Sequence, residues 1–372
     1  MLTTETKRIA PPKRLLYGPG PSMVDARAYE AMTQPVVGIR DSYFLEIMSE
    51  IQAGLRNAFG TANTATFPIP GGGGAGMEAA VANFVLPGSK FVVFAAGIFA
   101  DRMSASGRRQ RANVVRFEKP WGEVFTAEEA EAFIQRERPD VVGFVQAETS
   151  TGAYQSGRAI TAAARKVNAM VIADCVTSLG AMPVELDSVG IDVAYSCSQK
   201  GLSCPAGLSP VSMSPRAFEW LQKRPEEPWS WYLDLALLSK YYEPAHAYHH
   251  TPSPPLYYAM HQGLAVIEEE GLQNRWSRHQ RANHRLIAGL QKLGFEPFVK
   301  DAENRIWHLT TATPPVRINE ATLRQKLLDR YGIEIASGLG QLSGKVLRIG
   351  TMGPLATDEN VDFLVESIAD CL

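Results

Sequence analysis

The chain reads as an α/β protein built on a mostly parallel sheet covered by helices on both faces. Three observations predict it. Short apolar runs of strand length alternate with helical patterns through the first two thirds of the sequence. A glycine run, Pro70-Gly-Gly-Gly-Gly74-Ala-Gly76, opens one of the helical stretches. Finally, an aspartate and a lysine, Asp174 and Lys200, each follow a strand-like apolar run, 26 positions apart.

The elements follow in order. After the glycines, Met77, Ala80, Val81, Phe84 and Val85 fall on one helical face. Lys90–Ala95 and Asn113–Phe117 read as buried strands, and Thr126 with Glu129 forms a capping box that starts the next helix. Val141–Val145, Val171–Ala173 and Val193–Tyr195 complete the strand series. The segment from Pro225 to Pro255 is rich in proline and aromatics and lacks periodicity, as loops serving a site or an interface do. A helix over about 257–269 leads to Gly271. A longer amphipathic helix follows, with Trp276, Leu286, Ile287, Leu290 and Leu293 apolar and Gly294 as its stop. Candidate strands near Arg305–Thr313 and Val346–Gly350 indicate a smaller α+β domain. The expected organisation is an N-terminal arm (1–20), a large domain (21–270) and a small C-terminal domain (271–372).

Composition narrows the function classes. A chain of 372 residues with 45% hydrophobic content can bury a large core. Its net charge of −2 offers no footprint for nucleic acid or a membrane surface, and its short basic runs read as solvated faces. No apolar stretch approaches a membrane span, and the first residues lack a signal-peptide core. The four cysteines (175, 197, 204, 371) form neither a CxxC pair nor a disulfide framework, which suggests reduced thiols in a cytoplasm. His249-His250 is not read as a metal site, because adjacent histidines do not share a helix face and no acidic or thiol ligand accompanies them.

Ligands of open α/β sheets bind at the carboxyl ends of the strands. A lysine and an aspartate delivered there can hold two ends of one planar cofactor. Pyridoxal 5'-phosphate needs that pair, an amine for a Schiff base and a carboxylate for the pyridine nitrogen. A salt-bridged pair or two solvated loop charges is the plainer reading of the same residues. The glycine run can turn backbone N–H groups toward an anion at a helix N-terminus. It also matches a dinucleotide fingerprint, Gly71-x-Gly73-x-x-Gly76. Two features oppose that match: Pro68 and Pro70 make the preceding stretch a poor buried strand, and no acidic residue ends a second strand about 20 residues on.

Many short motifs in one order resemble the class V, fold-type I pyridoxal-phosphate aminotransferases, close to the alanine/serine–glyoxylate branch. They are Leu16-Tyr-Gly-Pro-Gly-Pro-Ser22, Gly76-Met-Glu-Ala-Ala-Val-Ala-Asn83, Ala147-Glu-Thr-Ser-Thr-Gly152, Asp174-Cys-Val-Thr-Ser-Leu-Gly180, Gly190-Ile-Asp192 through Ser198-Gln-Lys200, Tyr331-Gly-Ile-Glu-Ile335 and Gly344-Lys-Val-Leu-Arg-Ile-Gly350. The resemblance implies a large domain with a mostly parallel mixed sheet between helices, and a smaller α+β domain.

It also implies roles. Lys200 would form the Schiff base and move a proton, and Asp174 would pair with the pyridinium. Phe99 would stack on the cofactor ring, where without the resemblance it reads as core. Thr149 would bond the ring oxygen, and Gln199 would assist at the phosphate beside Gly72, Gly73 and Gly74. Tyr248 and Thr251 match positions that reach the phosphate from a partner subunit, implying a homodimer with shared sites. Arg348 would grip a substrate carboxylate, a task its planar fork suits better than lysine; by itself it would be taken to pair with an internal acid. Backbone near Gly18, Gly38 and Ile39 would shape the substrate pocket.

Departures bear on this reading. Gly72–Gly74 carry no side chains where relatives have a hydroxyl and often a histidine or threonine. Asn57 stands where several place tyrosine, and Ile39 replaces a histidine common in serine–glyoxylate members. The reaction implied moves an amino group from alanine or serine to a 2-oxo acid, glyoxylate or pyruvate, in a ping-pong cycle. Two alternatives stay open. One is a lyase or desulfurase-like enzyme of the same fold, with Cys204 as the cysteine to test. The other is a nicotinamide-dependent oxidoreductase using the glycine run.

Overall fold

In the computed structural model, which describes residues 9–372, the first two thirds of the chain build one seven-stranded sheet. Its strands are β1 (Ala65–Pro70), β2 (Lys90–Ala95), β3 (Asn113–Glu118), β4 (Val141–Val145), β5 (Met170–Asp174), β6 (Val193–Tyr195) and β7 (Leu208–Met213). The spatial order is β1-β7-β6-β5-β4-β2-β3. Only β7 runs against its neighbours; every other pairing in the sheet is parallel. All residues of β4, β5, β6 and β7 are buried, as expected for central strands covered on both faces.

The helices that bear on the site are α1 (Ser42–Phe59), α2 (Gly73–Phe84), α3 (Ile98–Arg109), α4 (Ala127–Glu137), α5 (Pro254–Glu270), α6 (Leu272–Lys292) and α7 (Asp358–Cys371). The capping box of Thr126 and Glu129 is present at the start of α4. Helix α2 packs under β5, β6 and β7, and α5 lies against α1.

A second sheet is antiparallel throughout, with strands β8 (Glu296–Pro297), β9 (Leu309–Thr313), β10 (Ala336–Ser337) and β11 (Leu347–Gly350) in the order β8-β9-β11-β10. Helix α6 packs on this sheet and α7 packs against α6, adding Leu364 and Ile368 to the same core. Its core of Leu286, Leu290, Phe295, Leu347, Ile349, Leu364 and Ile368 is separate from the core of the large sheet. Tyr17 is buried in the second core, and Leu15–Leu16 pairs with Ile333–Glu334. Residues 1–8 of the expected arm lie outside the described residues.

Five expectations need correction. Asn113–Glu118, read as buried, is only half-buried with exposed ends, because β3 is an edge strand. Ala65–Pro70 is a buried strand despite its two prolines, because β1 is an edge strand with only β7 beside it. The carbonyls of Thr66 and Pro68 accept side-chain donors from Gln52 and Tyr242, so these alternate positions face away from β7. Pro68 and Pro70 share that outward side, where no ladder N–H is needed. The helix after the glycines starts at Gly73 rather than Met77, so the run forms its first turn. The segment 225–255 holds a helix, Leu235–Tyr242, started by the Asp234 side chain. The strand expected from Arg305 begins only at Leu309.

Candidate active site

Parallel strands end on one side of a sheet, and that geometry gathers the site. Asp174 is the last residue of β5, and Tyr195, the last of β6, stands beside it in register. A cavity of about 280 Å³ opens there, lined by Gly73, Gly74, Met77, Phe99, Arg102, Val145, Ala147, Thr149, Asp174, Val176, Thr177, Gln199 and Lys200. Seven of the residues singled out in the sequence meet in this one space: Gly73, Gly74, Phe99, Thr149, Asp174, Gln199 and Lys200.

Asp174 is buried, and its oxygens accept from Val176 N–H and the Tyr195 hydroxyl, both at 2.9 Å. Burial pushes its carboxyl up to about 6, against the pull of those two donors and of Lys200. The ammonium of Lys200 donates to the Pro19 carbonyl at 2.5 Å. Burial, with Arg348 assisting, lowers the Lys200 pKa, while Cys197 and Asp174 pull the other way. The arm is fitted to this lysine. A Cβ at Gly20, whose φ is +115°, would come within 2.0 Å of Lys200 Nζ, so glycine is required there.

Arg348 lies on β11, one shell behind the cavity wall. Its Nε donates to the Ser337 carbonyl at 2.8 Å and its Nη1 to that of Thr149 at 3.4 Å. It makes no ion pair with a carboxylate among the described residues, so the internal acid partner that Arg348 would be given without the resemblance is not found. Burial lowers its pKa to about 10, with Glu148 opposing. Those two carbonyls leave part of its five-donor fork unused by the described residues.

The other expected residues lie elsewhere in the single chain. Gly72 is the N-cap of α2, just outside the lining, and Gln199 Nε2 lies 3.4 Å from where its Cβ would be. The Gly18 carbonyl passes close over Gly350, and Gly350 N–H donates to the Tyr17 carbonyl, so Gly18 borders β11 near Arg348. Gly38 is exposed and Ile39 half-buried, both away from the cavity. Tyr248 is 52% exposed; its hydroxyl is 3.1 Å from Thr251 Oγ1, and neither lines the cavity. His249 and His250 face each other through their Nδ1 atoms at 3.0 Å, and His249 stacks on Trp231.

Sequence reasoning missed four neighbours. Tyr195 could have been found from strand register, since adjacent parallel strands that end together bring their last side chains together. Glu148, inside the motif that carries Thr149, is buried and bonded to Ser150 and to Phe99 N–H. Arg102 lines the cavity one helical turn beyond Phe99, its guanidinium 4.9 Å from the centre of that ring. His308 is fully buried with both ring nitrogens unpartnered, and burial with the charge of Lys200 lowers it to about 3. No sequence pattern marks His308.

A strand-end carboxylate and a buried lysine on one cavity, at the carboxyl edge of a mixed sheet of this order, define a fold-type I transferase, and the chain belongs to the class V aminotransferases. The family model described as Aminotransferase class-V matches residues 27–364. Among curated relatives, the alanine–glyoxylate aminotransferase of Rattus norvegicus is 36% identical over 370 residues, covering 99% of this chain and 89% of that protein. The (S)-ureidoglycine–glyoxylate transaminase of Bacillus subtilis is 33% identical over 380 residues, covering 97% and 91%. The solved alanine–glyoxylate aminotransferase from Nostoc sp. superposes with a TM-score of 0.96 at 41% identity, covering 99% of this chain and 97% of that one.

The family's cofactor is pyridoxal phosphate, and the residues present fit it. Asp174 is a buried carboxylate whose direct partners are neutral donors, as a site for a protonated ring nitrogen requires. Gln199 Oε1 is buried without a partner. The N-cap Gly72 has no side chain to bond the N–H groups of Gly73 and Gly74 at the start of α2, the end of a helix that suits an anion. The alternatives fare worse. The glycine run follows an edge strand beside an antiparallel neighbour, not a central strand of a dinucleotide-binding βαβ unit. Cys204 is buried, its thiol bonded to the Leu202 and Ala259 carbonyls and pushed up to about 12 by burial, the opposite of an activated nucleophile. No helix among the described residues is long and apolar enough to cross a membrane.

Proposed function

We propose that this aminotransferase moves an amino group from alanine or serine to a small 2-oxo acid, glyoxylate or pyruvate, as a cytoplasmic homodimer with shared sites. One observation carries the substrate reading: Arg348 is a buried guanidinium without an acid partner beside the Lys200–Asp174 cavity. The other guanidinium at the cavity, Arg102, lies over Phe99. One carboxylate anchor suits a monocarboxylic amino acid. The names of the relatives, which include two glyoxylate enzymes, support the same class.

When bound, pyridoxal phosphate supplies an electron sink for the bonds at the substrate's Cα. The chain's residues do the rest. Lys200 Nζ, less basic through burial, would be the amine that holds the cofactor and would carry a proton to and from the substrate Cα. Asp174, its oxygens oriented by Tyr195 and Val176 N–H, would keep the ring nitrogen protonated. Phe99 and Thr149 would hold the ring, and Arg348 would set the substrate carboxylate. Gly72–Gly74 and Gln199 would hold the phosphate. Tyr248 and Thr251 are assigned to the phosphate of the partner's site, which accounts for a tyrosine exposed with its hydroxyl toward Thr251. The exposed aromatics Trp229, Trp231 and Tyr232 belong to the same segment and fit a subunit interface. The two separate cores support the division into an arm (1–20), a large domain (21–270) and a small domain (271–372).

The test is a half-reaction. The protein is loaded with pyridoxal phosphate, and alanine, serine, glycine, aspartate or glutamate is added singly without an oxo acid. The visible band should convert to that of the amine form of the cofactor with alanine or serine. Conversion with aspartate or glutamate alone would overturn the substrate assignment.

A further inference from the structure

Helix α3 begins without a cap of its own. Its N-cap, Gly97, has no side chain and makes no side-chain hydrogen bond. The first two N–H groups are satisfied from a different part of the chain: Ile98 N–H donates to Ser150 Oγ and Phe99 N–H to Glu148 Oε2, each at 3.1 Å. The other oxygen, Glu148 Oε1, accepts from Ser150 N–H at 3.0 Å and from the Ser150 hydroxyl at 2.5 Å. Three donors therefore converge on the two oxygens of one buried carboxylate.

A serine, threonine or aspartate at position 97 would cap this helix from its own N-cap residue, without drawing a carboxylate from elsewhere in the chain. The structure prevents it, because a Cβ on Gly97 would come within 2.3 Å of the Glu148 side chain. Glu148 is buried near a second carboxylate, Asp174, and burial with that charge pushes it up to about 7 while the three donors pull it down. Stabilising a helix end does not call for so costly an arrangement. What it achieves is a link between Phe99, on α3, and Thr149, which lies between Glu148 and Ser150. Both side chains line the cavity. Thr149 also accepts from Arg348, so the link extends toward the substrate anchor.

We propose that Glu148 is a positioning residue for the transamination site: its carboxylate, together with Ser150, locks the start of α3 to the Thr149 bend and so holds Phe99 against the face of the bound cofactor. The inference rests on the reading of the cavity as the pyridoxal phosphate site, and it assigns Glu148 no contact with cofactor or substrate.

The test compares Glu148→Gln, Glu148→Ala, Phe99→Ala and the Phe99→Ala/Glu148→Gln double variant, each prepared as holoenzyme, by the equilibrium dissociation constant for pyridoxal phosphate. Glutamine fills the same space but offers one acceptor oxygen, so its NH2 must face a donor N–H. Glu148→Gln should weaken cofactor binding roughly 10-fold, as losing a buried acceptor for a cap N–H implies, and close to the effect of Glu148→Ala. In the Phe99→Ala background the same change should add less than about 2-fold, since the residue through which it acts is gone. A glutamine variant that binds like the parent would overturn the proposal, by showing that Glu148 only fills space. Full additivity with Phe99→Ala would overturn it too, by showing that the effect does not pass through Phe99. Should the parent protein bind no pyridoxal phosphate, the cavity assignment itself would fail, an outcome separate from either of these.

Discussion

Replacing Asp174 by asparagine should stabilise the cofactor-free protein at neutral pH while impairing its use of the cofactor. In the folded chain the carboxyl titrates at about 6, against 3.8 for an unperturbed aspartate, because it is fully buried. Between those values the folded protein holds a proton that the unfolded chain has released, so this group's contribution to stability falls as pH rises through the window. A displacement of about two pH units, at about 1.4 kcal/mol each, makes the ionised group cost about 3 kcal/mol at pH 7. Asparagine removes that cost. Asparagine, like the protonated carboxyl, offers one acceptor oxygen to Val176 N–H and the Tyr195 hydroxyl, so at low pH the two proteins should be close in stability. The variant should therefore be more stable than the parent by about 3 kcal/mol at pH 7.5 and within about 1 kcal/mol of it at pH 4. Loss of the Asp174 charge also eases ionisation of Glu148, which acts in the same direction. Paired urea titrations of the cofactor-free proteins, followed by tryptophan fluorescence at the two pH values, would measure the difference. A stability difference that does not change between pH 4 and pH 7.5 would refute the buried-carboxylate argument. In the loaded enzyme the order should reverse, with the asparagine variant slow in the half-reaction because the ring nitrogen loses its counter-charge.

Three further outcomes are expected. Arg348→Ala should raise the KM of amino acid and oxo acid together by about 10- to 100-fold, the worth of a charge-assisted pair; steady-state kinetics with an unchanged KM would place the carboxylate anchor elsewhere. Phe99→Ala should weaken pyridoxal phosphate binding by roughly 2- to 10-fold, the worth of ring stacking, with little change in thermal unfolding of the cofactor-free protein; a drop in unfolding temperature with normal cofactor affinity would make Phe99 a core residue only. Cys204→Ala should keep transaminase activity, since that thiol is buried, bonded to two carbonyls and poorly ionised; loss of turnover in a folded variant would revive cysteine-based chemistry.

The central strands were legible because residues buried on both faces must be apolar throughout, and Val141–Val145 or Val193–Tyr195 can be little else. The capping box at Thr126 was legible because all its atoms belong to four consecutive residues. Edge position is a property of the whole sheet, which is why Pro68 and Pro70 misled: nothing local says that β1 has an open side. The short helix Leu235–Tyr242 was lost among prolines and aromatics whose periodicity covers barely two turns.

The site divides along the same line. Asp174, Lys200 and the glycine run could be located from the sequence because Asp174 ends a strand, Lys200 lies five residues past the end of the next and the glycines open a helix, and parallel strands deliver their ends to one edge. The positions of Tyr195, Glu148, Arg102 and His308 depend on which strands are neighbours and on how the segments beyond them fold back, contacts between residues up to about a hundred positions apart. The same is true of the partnerless state of Arg348, since its nearest acceptors, Ser337 and Thr149, lie on separate parts of the fold. Local sequence determines what a segment buries and where it turns, through backbone preference and apolar spacing. Which charges then share a dry cavity, and which buried donors go unmet, is decided only when distant segments close on one another and exclude water.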